Sequence, residues 1–470
     1  MPKKLLVTGE LLVLGWLTLT EDVGLVGLAI AGLIGAIGVV TLVVVAWPLG
    51  ALFSLVAASA APRVVWSIAD LRVHPEHVAI AVLVPVVFCR YGRQLWGLLD
   101  LHSFDYFLLV YVVLNFFSSA FASPEPNRTL RWAVLQVVVM APYFLIRVLA
   151  KNKETLWKVW RFLLLIGVLE SLYGCIALLS NRAFGTRFGV EVEQYGGIPG
   201  TYGTQYEANL FGSYTSCAAV MCLAGFLISR NSDRRWYLYG FFISTVAMSI
   251  SLSRAVLLSF FVGILVVFWI TARAQHLELS RLVRVSVFAT FVMLAVSPVL
   301  FPMVRERFEN IDVTDVTSDA TVVERLIQTK VAIDNIVAHP VFGSGTASFQ
   351  LFFNWQEYLP EMGDIAGWLG NTPLRIVHDT GIAGLTAFLG FIGSLAYAGR
   401  RMRHCAEPKT RTVVLALASG AILYSMTFQS TEATTLAFTW VHLGLLANAI
   451  IFLNADHMPK SGTLRGVSQL

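Results

Sequence analysis

The sequence predicts an all-α polytopic bundle of about 12 to 14 transmembrane helices with one large polar loop on its outer side. Three observations predict it. The chain of 470 residues is 56% apolar and only 13% charged. Apolar segments long enough to cross about 30 Å of hydrocarbon recur along it. Only residues 303–372 depart from this pattern at length.

In order, the segments are 5–20, 24–46, 48–61, 77–95, 105–122, 130–149, 158–180, 206–229, 236–252, 254–272, 283–302, 376–398, 411–428 and 434–454. Lys3 and Lys4 ahead of an apolar run resemble a signal peptide. Glu10 inside that run, without a small-residue cleavage site after it, favours a retained first helix. Basic clusters at Arg147–Lys158, Arg230–Arg235, Arg273–Arg284 and Arg400–Arg411 all fall on one side when the helices alternate. By the positive-inside rule that side is cytoplasmic, together with both termini. The loops 123–129, 181–205, 303–375 and 429–433 then face outward, as expected of a multi-pass protein of a cytoplasmic (inner) membrane.

The net charge of +5 is what this bias produces and is no argument for nucleic acid. The five cysteines offer neither an external pair nor metal-ligand spacing. No GxxxxGK[ST] and no strand-led GxGxxG occurs, which argues against an ATP-driven pump.

Polar residues of note gather at the outer face. The loop from Arg187 to Asn209 (RFGVEVEQYGGIPGTYGTQYEAN) runs into a helix near Tyr206. Glu207 and Asn209 in its first turn complement the helix dipole or contact a ligand. Ser253-Arg254 joins two apolar segments, where the guanidinium either snorkels to the interface or clamps phosphate. Val322–His339 has helical amphipathic spacing, with Arg325 and Lys330 on its polar side. Phe342-Gly343-Ser344-Gly345 forms a turn, and Asn371 opens a long helix carrying Asp379, Gly381 and Gly384. Glu170 is the main mid-helix carboxylate, as a proton site or an interhelical contact. Asp312, Asp315 and Asp319 read as a solvated run.

The order of these features resembles the O-antigen ligase and Wzy-type polymerase superfamily of bacterial membrane glycan polymerases and ligases. Gly200-Thr201-Tyr202 through Asn209-Leu210-Phe211-Gly212, the SISLSR of Ser249 to Arg254, Arg325 through His339-Pro340 to Phe349, and Gly370-Asn371 through Gly384 match its motifs in sequence. The similarity covers about residues 180–400. One position departs. The histidine that usually precedes the asparagine is Gly370 here, and His378 lies two turns further on. The loss counts against a ligase, whose histidine acts on the acceptor hydroxyl, and favours a polymerase.

The resemblance implies a GT-C-like fold divided into N-terminal helices (1–180), a ligase/polymerase-like core (181–400) and C-terminal helices with a tail (401–470). It implies a glycosyltransferase that acts on an undecaprenyl-diphosphate-linked glycan donor and transfers it to a glycan or lipid acceptor. Other polysaccharide-assembly membrane proteins are possible partners. Catalytic roles are expected for Glu207, Arg254 and Asp379, and substrate contacts for Arg187, Asn209, Arg325, Asn371 and Arg305, with no metal and no cofactor. Glu432 is a further carboxylate in a short external loop. A lipid-linked oligosaccharide transporter is the alternative of a different class. It would carry internal repeats and buried ionisable residues along a path through the bilayer.

Overall fold

The computed structural model describes residues 46–64, 66–68, 71–191, 199–228, 234–273, 320–358, 367–400, 408–432 and 434–455. These form a helical bundle. Its elements are α1 (Leu49–Ser59), the hairpin β1 (Trp66–Ile68) and β2 (Leu71–Val73), α2 (Pro75–Tyr91), the short α3 (Leu95–Leu99), α4 (Ser103–Phe121), α5 (Pro126–Leu149) and α6 (Lys153–Phe184). Next come the two-residue strands β3 (Val190–Glu191) and β4 (Gly200–Thr201), then α7 (Ala208–Ile228), α8 (Arg234–Ile250), α9 (Arg254–Arg273) and α10 (Ala320–Ala338). The single-turn helices α11 (Phe349–Phe352) and α12 (Trp355–Tyr358) precede α13 (Thr372–Gly399), α14 (Pro408–Thr427) and α15 (Ala437–Ala455).

Among the described residues, eight helices are long and apolar enough to cross a membrane, and α1 and α9 are shorter apolar helices. The expected segments 5–20, 24–46 and 283–302 lie outside the described residues, as do Arg305 and the aspartates at 312, 315 and 319.

Helix α7 is the axis of the bundle. Its described side chains are buried all round, apart from the partly exposed Asn209 at its start. A helix buried on every face needs no polar stripe, which is why Ala, Cys, Gly and Ser alternate there with Leu, Phe and Met. It packs on α8, α9 and α14, while α4 packs on α13 and α5 on α15. At the end of the bundle away from the motifs, buried Arg147 pairs with Asp105 at 2.9 Å and donates to Asn448 and to the carbonyls of Leu99 and Asp100. The Tyr143 hydroxyl donates to the second Asp105 oxygen at 2.7 Å. A buried ion pair is tolerable only when its remaining lone pairs and protons are satisfied in this way.

At the opposite end, two sequence motifs meet through their backbones. Helix α13 is broken at Gly381 (φ 66°, ψ −168°). The amides of Ile382 and Ala383, orphaned by the break, donate to the carbonyls of Pro340 and Val341 at 2.9 and 3.2 Å. In return, the amides of Ser344 and Gly345 donate to the carbonyls of His378 and Asp379 at 2.9 and 3.0 Å. The HPVFGSG turn is thus stitched into the gap in α13. The stitching leaves no room for side chains: a Cβ on Gly381 would lie 2.2 Å from the Val341 oxygen, and one on Gly343 (φ +70°) would lie 2.5 Å from Thr380 N.

Gly381→Ala is therefore expected to destabilise the fold by about 1–3 kcal/mol from backbone strain alone, with the clash in addition. Size-exclusion profiles and thermal midpoints of the detergent-solubilised variant check this. An unchanged midpoint would mean that the break is not needed.

The expected amphipathic helix at 322–339 is α10. Ala332 on one face packs with Phe349, Phe353, Trp355 and Leu369. On the other face Leu326, Ile333 and Val337 are exposed apolar residues. An exposed apolar face in line with a membrane-spanning bundle suits contact with lipid.

Candidate functional site

The loops carrying the motifs converge at one end of the bundle. The approach loop to α7 is held from below by Glu170, whose oxygens accept from the backbone N–H of Thr204 at 2.7 Å and from its hydroxyl at 2.8 Å. The main mid-helix carboxylate is thus a loop anchor. Gly203 (φ +59°) lets the chain pass so close that a Cβ would lie 2.3 Å from a Glu170 oxygen. From the side, the Gln205 amide donates to the Ala60 carbonyl at 2.8 Å, and the Arg63 guanidinium lies over the Tyr202 ring.

This anchoring delivers Glu207 to the head of α7. The helix begins at Ala208, two residues later than the sequence indicates, and the Glu207 carbonyl accepts its first helical bond from Phe211 N. The side chain of Glu207 points across to another loop: Thr431 Oγ1 donates to its Oε1 at 2.7 Å. The residue keeps some surface, although protein atoms crowd its carboxylate. Burial pushes the Glu207 carboxyl above the ordinary carboxylate range. The Thr431 hydroxyl, the Arg325 charge and Asn209 oppose the shift, and Glu191 reinforces it. Glu207, Asn209 and Arg325 are therefore within one electrostatic neighbourhood.

Arg254 begins α9 after the turn at Ser251–Ser253, where Leu252 takes a positive φ of 55°. That turn docks on α7 one helical turn beyond Asn209. A Cβ on Gly212 would lie 2.5 Å from Ser251 Oγ and 3.1 Å from a Val256 methyl. The close approach places Arg254, which is partly exposed, at the same end as Glu207. Arg187 is exposed at the start of the approach loop, and only its carbonyl is engaged, by Val190 N and the Tyr202 hydroxyl.

Asn371 caps α13 by accepting from Leu374 N at 2.9 Å, and its amide donates to the Gln429 carbonyl at 2.8 Å. Beside it, among the described residues, a Cβ on Gly370 would meet the Ser430 carbonyl at 3.9 Å, an ordinary van der Waals distance. The residue is partly exposed. The gap left by the missing family histidine thus adjoins the loop that holds Glu207.

Asp379 is placed differently from the other candidates. It is buried, and one of its oxygens accepts from Ala347 N at 2.8 Å and from Arg375 Nε at 3.3 Å. The other lies 3.2 Å from His378 Nδ1. Its contacts thus join the GSG turn to α13. Arg375, which the sequence reading passed over, also pairs with Glu432 at 2.6 Å and stacks on Trp368. Its spacing from Asp379 (i, i+4 on one helix) was a legible signal. Thr431 gave none, since a threonine in a short polar loop is ordinary.

Residues 239–389 match the family model described as O-antigen ligase. This segment is an O-antigen ligase-type domain, and it supports membership of the O-antigen ligase/Wzy superfamily. The matched span runs from α8 through the first half of α13, and so includes Arg254, Arg325, Gly370, Asn371 and Asp379. Glu207 and Thr431 lie outside it, on either side in sequence, and reach the same place only through the fold. No curated protein matches the chain. Membership carries a membrane glycan ligase or polymerase type of function with lipid-linked glycan substrates. Among the described residues, no three His, Cys, Asp or Glu side chains converge as a metal-ligand set.

Proposed function

We propose that this protein is a Wzy-like polymerase that joins undecaprenyl-diphosphate-linked oligosaccharide repeat units at the outer face of a bacterial cytoplasmic membrane. The observation that carries the reading is the hydrogen bond joining Glu207, at the head of α7, to the Thr431 loop, whose Ser430 carbonyl adjoins Gly370. With no imidazole at residue 370, Glu207 is the carboxylate available to an acceptor hydroxyl.

In this reading Arg254 and Arg325 face the donor diphosphate, with Arg187 able to add charge at its edge. Planar guanidinium groups stabilise negative charge as it builds on the leaving group, in place of a divalent ion. The acceptor hydroxyl attacks the anomeric carbon, and its proton passes to a Glu207 oxygen. The bond from that carbon to the diphosphate oxygen breaks, and the undecaprenyl diphosphate leaves with the electron pair. One displacement inverts the anomeric centre. A carboxyl raised by burial is a stronger base than an exposed one and suits this proton transfer. In this reading Asn209 orients sugar hydroxyls, Asn371 holds the neighbouring 428–432 segment, and Asp379 supports the GSG turn.

The test is an elongation assay with purified protein and an undecaprenyl-diphosphate oligosaccharide of the native host, without added ATP or divalent metal. The expected product is a ladder of longer lipid-linked glycans. Transfer only when lipid A core or a protein acceptor is supplied would make the enzyme a ligase that works without the usual histidine. Transbilayer movement of the donor without any transfer would make it a transporter.

A further inference from the structure

Thr431 has no place in the reaction just described, yet it is where several buried interactions end. Its hydroxyl donates to Glu207 Oε1, and its carbonyl accepts from the Thr372 hydroxyl at 3.1 Å. The residue is buried, as is its neighbour Glu432. The Glu432 carboxylate accepts from Thr434 N at 2.7 Å and from the Thr435 hydroxyl at 2.6 Å, and it pairs with Arg375. Arg375 in turn is fixed by Asp379, whose other partners are the Ala347 amide and His378. The loop around Thr431 is also tied at Asn371 to Gln429 and at Gln136 to the Thr434 carbonyl. A surface loop is ordinarily mobile and is seldom pinned by a buried ion pair.

We propose that Thr431, fixed by the Arg375–Glu432 ion pair, is a positioning residue that holds the Glu207 carboxylate toward the acceptor and favours its ionised form. This rests on the reading of Glu207 as the acceptor base. The physical reason is directional. A hydroxyl that donates to one carboxylate oxygen restrains the direction of the group, together with the hydrogen bond from the Asn209 side chain. It also stabilises the charged form, in the same sense as Arg325 on α10 and Asn209 on α7 and against Glu191 on β3. Neighbouring Glu432 shares the Arg375 guanidinium with Asp379. The matched family segment ends at residue 389, so the family motifs do not include this loop.

The experiment measures kcat and KM between about pH 5 and pH 9.5 for lipid-linked oligosaccharide elongation by the full-length protein and by Thr431→Val, Thr431→Ser and Glu207→Gln. Loss of the donor should move the acid limb of kcat in Thr431→Val upward by about one pH unit. Turnover would then fall several-fold on the acid limb and recover as pH rises above it. Thr431→Ser keeps the donor and should keep the wild-type limb. Thr431→Ala removes the donor without adding bulk and gives the same reading should the valine variant not fold. An unmoved limb in Thr431→Val, or an equal loss at every pH shared by Thr431→Ser, would overturn the positioning role while leaving Glu207 as base. Full turnover in Glu207→Gln would instead overturn the reading beneath it.

Discussion

Glu207→Gln is expected to lower turnover by about two to four orders of magnitude, the usual contribution of a positioned general base. The substitution suits the question because an amide oxygen can still accept from Thr431, so the contact between the α7 head and the 428–435 loop persists. What disappears is the ability to take a proton. Binding of the lipid-linked donor should change little, since the charges assigned to the diphosphate lie on Arg254 and Arg325. Single-turnover elongation together with a donor-binding assay checks both halves. Wild-type turnover in this variant would return Glu207 to holding the loop.

In the wild type, pH should act in a definite direction. A base works ionised, so activity falls as pH drops through the Glu207 pKa. Burial raises that pKa, and the acid limb should therefore lie above the range of an exposed glutamate.

The second large effect is on stability. Arg375→Ala should destabilise the protein by about 3–5 kcal/mol, because it leaves the buried carboxylates of Asp379 and Glu432 without their cation. Such a loss is comparable to much of the stability of an ordinary domain, so poor recovery of monodisperse protein and a depressed thermal midpoint are expected. Adding Asp379→Asn and Glu432→Gln to Arg375→Met removes the stranded charges and should restore much of the midpoint. If Arg375→Ala alone melted like the wild type, the buried network would not hold the loops together.

These two residues differ in how far the sequence announced them. Glu207 was legible because it stands in a glycine-rich approach to a long apolar helix, and Arg254 because a guanidinium beside a membrane segment is costly without a purpose. The turn at residues 342–345 and the capping role of Asn371 were legible from local chemistry. Asp379 was singled out as a catalytic carboxylate by its motif position. Its surroundings, an amide from the turn and a guanidinium one helical turn away, come from tertiary packing. Glu170 likewise looked like an interhelical contact, and its partner proves to be a loop.

By itself the sequence determined the helical bundle and pointed to the O-antigen ligase/Wzy superfamily, because membrane burial imposes apolar runs of fixed length and the motifs follow one another along the chain. The partners of Glu207 were decided only by the tertiary structure. Thr431 lies 224 residues away, on a loop set by Arg375 and Glu432, and no local pattern encodes such a meeting. It follows from how α7, α13 and α14 pack, which brings their ends to one side and sets the buried charges against each other and against nearby amides and hydroxyls.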